Sequence, residues 1–159
     1  MGIRPVRHRR AAVTPRSQGG FTLLEILLVV AIVTVIAGFS APVYQSFQVK
    51  NDLDIAANTV AGSFRRAQIL ATASDGDSQW GVKIQSGSIT VFQGSSYAAR
   101  TAAYDETFAV PTTITPTGVG EVVFDRLTGA ALSTGTATLT ASTGQVRTVA
   151  VSAKGTVTY

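Results

Sequence analysis

The stretch QGGFTLLEILLVVAIVTVIAG, residues 18–38, decides the architecture. It opens on two glycines, continues as an apolar run, and holds one carboxylate, Glu25, near its start. From Phe21 to Ala41 the run has 21 residues, with Glu25 its sole ionisable side chain. A helix of that length, rising ~1.5 Å per residue, is roughly 31 Å long, close to the hydrocarbon thickness of a bilayer. Residues 21–41 therefore read as a transmembrane helix. Arg4, Arg7, Arg9, Arg10 and Arg16 all precede it. That positive flank keeps the N-terminus in the cytoplasm and sends everything after Pro42 to the other side.

An ordinary secretory signal has the same basic and apolar parts, and Val35-Ile36-Ala37 supplies a small-residue end that would leave Gly38 as the mature N-terminus. The length of the run and the charge within it oppose that reading. A carboxylate in lipid costs a few kcal/mol and calls for a partner or a function. Proximity to a helix N-terminus lowers the cost without giving a reason for the residue. A cut between Gly20 and Phe21 supplies one: Phe21 then carries an ammonium group, and Glu25, one turn on, is placed to pair with the ammonium of a neighbouring copy. The pair would fix how far one helix slides along the next.

GGFTLLEILLVVAIVTVIAG resembles the N-terminus of the type IV pilin superfamily, which spans major pilins, minor pilins and type II secretion pseudopilins. The resemblance implies a basic leader, residues 1–20, removed after Gly20 by a prepilin peptidase. It further implies N-methylation of Phe21 and a glutamate, Glu25, that forms the assembly salt bridge. The implied partners are other pilin or pseudopilin subunits met through their N-terminal helices, the prepilin peptidase, an inner-membrane assembly platform and the lipid bilayer. No cofactor is implied.

Beyond the apolar run, Pro42 removes a helix hydrogen bond and predicts a kink. Helical character then resumes: Leu53, Ala57, Val60, Phe64, Ala67 and Ala71 alternate at spacings of four and three, one apolar stripe on residues 42–73. The segment SFRRAQILATA is similar to the helix of the FimT and GspH subgroup; on residue pattern alone, Arg65 and Arg66 are solvated positions opposite the stripe. TASDGDSQ, residues 72–79, ends the helix in turn formers. Asp75 and Asp77 alternate as calcium ligands do, but no bidentate glutamate follows at loop distance, and a polar turn is the better account.

From residue 74 the period becomes two. WGVKI and SITVFQ, joined by Gln85-Ser86-Gly87, predict a hairpin. ETFAV, TTIT, EVVFD, ATLTA, QVRTVAVS and GTVTY continue the series. Residues 74–159 thus read as a small antiparallel β-sheet domain, one face on the helix stripe and the other in water. The fold class is α+β, a long N-terminal helix packed on that domain. VVFDRLTGAALSTGTATLT and VRTVAVSAKGTVTY again resemble the FimT and GspH domain.

The net charge of +4 belongs to the leader: after residue 20 the chain has eight bases and nine acids. A nucleic-acid partner loses its electrostatic basis. Cysteine is absent and the one histidine, His8, lies in the leader, so no thiol, zinc or Ser-His-Asp chemistry is available and no metal site is expected. Asp52 with Asp54 and Asp105 with Glu106 are paired carboxylates without a recognisable cleft, and no Asn-x-Ser/Thr acceptor occurs. The sequence predicts a structural subunit with no enzymatic activity. The alternatives are a DNA-binding minor pilin for DNA uptake and a secreted β-domain with an ordinary signal peptide. Of the basic C-terminal tail that DNA-capturing relatives carry, only Lys154 stands in AKGTVTY. The expected location is the inner membrane with the head outside, then a periplasmic or extracellular filament.

Overall fold

The computed structural model describes residues 19–159, with the side chains at 39–43 and 45 outside that description. Residues 1–18, most of the segment read from the sequence as a leader, are therefore outside it. So is the side chain of Pro42, where the sequence predicts a kink. Helix α1 (Leu23–Thr72) begins two residues after Phe21 and ends one residue before the boundary read from the sequence. Among the described residues no helix is long and apolar enough to cross a membrane. Residues 1–40 and 41–159 are separate compact units, and each is taken on its own.

In the unit 1–40 every described side chain from Gly19 to Gly38 is exposed. Eleven of these exposed residues, from Leu23 to Ile36, are leucine, isoleucine or valine, each at least half accessible. This helix has no hydrophobic stripe because it is apolar all round, the pattern of a helix surrounded by hydrocarbon or by other helices.

In the unit 41–159 the six stripe residues of α1 are all buried, flanked by Ala56 and Ala61. They face two four-stranded antiparallel sheets, in the orders β3-β2-β1-β5 and β4-β6-β7-β8. The chain builds β1 (Trp80–Gln85), β2 (Ser88–Gln93) and β3 (Glu106–Ala109) in the first sheet. It crosses to the second for β4 (Ile114–Gly118) and returns for β5 (Glu121–Phe124). It finishes in the second sheet with β6 (Gly135–Ala141), β7 (Val146–Val151) and β8 (Val157–Thr158). Period-2 patterning finds the strands, while their division between two sheets depends on pairings distant in sequence. Inward residues of both sheets, among them Val82, Val91, Phe124, Leu139 and Val149, join the helix stripe in one core.

The C-terminal end of α1 is locked to both sheets by backbone groups. The Leu127 N–H donates to the Ala71 carbonyl at 3.0 Å, satisfying one of the helix's terminal acceptors. Gln68 Nε2 donates to the Gly129 carbonyl at 3.1 Å and to the Lys154 carbonyl at 3.3 Å, tying the turn after β5 to the turn after β7. Gly129 and Gly155 sit at φ +65° and +78°, and a Cβ on Gly155 would lie 2.6 Å from the Gly129 carbonyl oxygen. A left-handed backbone and this close approach together demand glycine at 155. Just above, Phe64 meets Phe124 edge to face, centroids 6.4 Å apart.

The outer face of the first sheet differs from the sequence expectation of a face open to water. Phe92 points there and is fully buried. The segment between β2 and β3 folds over it: the Tyr97 ring meets Phe92 edge-on at 5.5 Å, and the Arg100 guanidinium stacks on Tyr97 at 3.8 Å. Adjacent apolar residues, Val91 and Phe92, break the alternation because both sides of β2 are covered.

Candidate assembly site

Gly19 to Thr22 precede α1 without helical structure, and all four are exposed. Positions where a Cβ on Gly19 or Gly20 would stand both have no heavy atom within 4 Å. The Gly20–Phe21 bond thus lies on exposed, non-helical backbone. Phe21 itself is 80 % exposed.

Thr22 caps the helix. Its hydroxyl accepts from the Glu25 N–H at 3.2 Å, and its carbonyl accepts from Glu25 and Ile26 N–H at 3.1 and 3.2 Å. Sequence reading passed over this residue, although Thr22-Leu-Leu-Glu25 carries the Thr-x-x-Glu signature of a capping box. The cap fixes Glu25 in the first turn of α1, where the N-terminal end of the helix dipole favours a carboxylate. No described ion pair includes Glu25. The site therefore brings together an accessible peptide bond, an N-cap and an exposed carboxylate within residues 20–25.

Charges in the unit 41–159 are arranged the opposite way. Arg66 donates through Nε and Nη2 to the two carboxylate oxygens of Glu106, both at 2.5 Å. These bonds, then the charge of Arg66, hold the Glu106 carboxyl below its ordinary value against the opposing effect of partial burial. Lys83 pairs with Glu121 at 3.2 Å, Arg100 with Asp105 at 2.7 Å, and Arg147 with Asp54 at 2.8 Å. Arg126 pairs with Asp77, and Arg65 lies over the Tyr159 ring at 5.3 Å. Arg65 and Arg66 are exposed as expected, yet each is engaged. Asp54, Asp105 and Glu106 likewise have basic partners. No group of three or more metal-ligating side chains occurs among the described residues.

A model of the prokaryotic N-terminal methylation motif matches residues 15–41, a span containing Gly20, Phe21 and Glu25. No curated protein matches the chain. Among solved structures, the minor pseudopilin EpsH from the type 2 secretion system of Vibrio cholerae is similar at TM-score 0.53 and 13 % identity. The likeness covers 67 % of this chain and 94 % of that one. The chain thus joins a prokaryotic N-terminal methylation motif to a fold, a long helix packed on antiparallel sheets, like that of this minor pseudopilin.

Proposed function

We propose that the chain is a minor pilin or pseudopilin, a structural subunit added to a filament through its N-terminal helix. The observation that carries this is the bare stem: from Phe21 to Ile36 the apolar side chains are exposed, and no described residue of their own unit covers them. Apolar surface of that extent is stable in a bilayer or against other stems. In this reading residues 21–41 span the inner membrane, with the leader in the cytoplasm and the head outside. A prepilin peptidase cuts after Gly20, Phe21 is methylated, and Glu25 meets the Phe21 ammonium of an adjacent subunit. Pro42 relieves the helix where stem passes into head. The likeness to a secretion-system pseudopilin favours the type II secretion pseudopilus over a surface pilus.

DNA capture draws no support from the head, whose arginines are engaged with acids or an aromatic ring. The deciding measurement is N-terminal sequencing with mass analysis of the mature protein. An N-methylated Phe21 is expected; a mature chain starting at Gly38 would make it a secreted β-domain instead. Glu25→Ala separates processing from assembly. It should yield cleaved, methylated protein that fails to enter filaments, and normal entry would refute the role given to Glu25.

A further inference from the structure

Phe92 lies on the outer face of the first sheet, yet it is fully buried. Its ring reaches across Gly81, where a Cβ would stand 2.5 Å from Phe92 Cζ. The sheet does not hide this ring unaided: residues 94–105, between β2 and β3, cover it through Tyr97. The ladders of β1, with β2 on one side and β5 on the other, are complete without those residues.

This strap is closed mostly on itself. The Ala99 N–H donates to the Ser96 carbonyl at 3.1 Å, and Arg100 donates to the Tyr97 carbonyl at 2.8 Å and to Asp105 at 2.7 Å. Its legs are pinned where the Gly94 N–H donates to the Gln79 carbonyl at 2.8 Å and the Thr101 N–H to the Gln93 carbonyl at 2.9 Å. Between the legs, one described hydrogen bond joins strap to sheet, from the Tyr97 N–H to Glu121 Oε1 at 2.9 Å. Glu121 itself is held firmly. It stands opposite Lys83 in the β1–β5 register, its Oε2 accepts from Lys83 Nζ at 3.2 Å, and its carbonyl accepts from Ser133 Oγ at 3.3 Å. Gly94 turns the chain at φ +142°, a conformation that suits glycine alone.

We infer that residues 94–105 form a lid that opens as one unit on the intact sheet, hinged at Gly94, with the Glu121 carboxylate as its latch. Lifting the lid breaks the Tyr97–Glu121 and Thr101–Gln93 bonds together and uncovers Phe92, while every ladder bond of β1 stays made. So few ties put this opening below global unfolding in free energy. The closed state is held by the burial of Phe92 and by a charge-assisted bond, which is stronger than a neutral one. The head thereby keeps a polar outer surface when the lid is shut and presents an apolar floor when it lifts. The lid belongs to the head alone and operates whether or not the chain enters a filament.

The test is residue-resolved hydrogen exchange on the full-length chain in detergent micelles. In the parent protein the Tyr97 and Thr101 amides should exchange at matching rates, at least tenfold faster than the amides of β1, once each is corrected for its intrinsic rate. Glu121→Ala should speed Thr101 about tenfold, the loss of one charge-assisted bond, although its own acceptor, the Gln93 carbonyl, is untouched. The β1 amides should hold their parent rates. Glu121→Gln keeps an oxygen for the Tyr97 N–H and should fall between parent and Glu121→Ala. Strap amides that exchange as slowly as those of β1 in the parent, or a Thr101 rate unmoved by Glu121→Ala, overturn the inference. So does an equal acceleration of Thr101 and β1, which would mean that Glu121 supports the whole sheet. The parent comparison decides the matter even where Glu121→Ala fails to fold.

Discussion

Phe64→Ala tests whether the stripe of α1 holds the helix on the sheets. Phe64 is 1 % exposed and lies edge to face with Phe124 of β5. Truncation removes a whole aromatic side chain from the core, where the strands on the far side cannot move in without breaking their ladders. Such changes cost about 3–5 kcal/mol, of which about 0.5–1.5 kcal/mol is the ring-on-ring contact itself. A domain holds only ~5–15 kcal/mol in total, so the variant should keep its fold with little margin. With a urea slope of about 1–3 kcal/mol per molar, the unfolding midpoint should fall by about 2 M. Trp80, the single tryptophan, reports the transition. It is buried, and its indole N–H donates to the Asp75 carbonyl at 2.9 Å, so its emission shifts red on exposure. Ile69→Ala, on the exposed side of the same helix, should change stability by under about 0.5 kcal/mol. If the two variants lose similar stability, the stripe does not anchor the helix and the packing account of the head is wrong.

Three further substitutions probe separate features. Gly155→Ala puts a Cβ 2.1 Å from Gln68 Nε2 and 2.6 Å from the Gly129 carbonyl at φ +78°; it should cost more than the about 1–2 kcal/mol of left-handed strain alone, read as a lowered urea midpoint. Gly81→Ala aims its methyl at Phe92, 2.5 Å away, and at the Val122 carbonyl, and should lose about 1–3 kcal/mol by overpacking. Glu106→Gln removes the pair with Arg66. Because the Glu106 carboxyl is held below its ordinary value, the pair's stability is present above the ordinary carboxylate range and disappears as pH falls through the lowered folded value. The pair is half-exposed, so the difference at neutral pH should be about 0.2–1 kcal/mol, and the two unfolding curves should converge in acid; a constant gap down to low pH would contradict the pairing.

Local rules made the α+β class legible. The spacing of Leu53, Ala57, Val60, Phe64, Ala67 and Ala71 gives both the helix and its buried side, and all six are in the core. Alternation and turn residues locate strands from Trp80 onward because those signals act over a few residues. Pairing partners are another matter. Pro116 marks β4 as an edge strand, yet nothing near it says that β4 joins β6 while β5 goes back to β1. The lid over Phe92 was hidden for a related reason: Tyr97 and Arg100 lie in a stretch with no period, and their stacking appears only once the chain has folded over the sheet. Around Glu25 the sequence was more direct, since a lone carboxylate in an apolar run is conspicuous at any distance. Thr22 was missed because a hydroxyl beside such a run draws no notice until its bond to the Glu25 N–H is seen.

On the proposed assembly, the two units divide the work between non-directional and directional forces. The bare leucines, isoleucines and valines of the stem favour burial at almost any stagger, because the hydrophobic effect follows area and not register. Register must come from something sparse, and Glu25 is the one ionisable group in residues 21–41. A carboxylate and an ammonium 4 Å apart attract by about 4 kcal/mol at an effective dielectric near 20, and a slip of one helical turn, ~5.4 Å, reduces this to about 2 kcal/mol. Each misplaced subunit then forfeits about 2 kcal/mol, roughly a thirtyfold preference for the correct stagger. A second acid in the run would create a second register of similar energy. In the head the arginines are paired locally, as in Arg66 with Glu106 and Arg147 with Asp54, whereas in the stem the electrostatic choice of stagger rests with a single side chain at its foot.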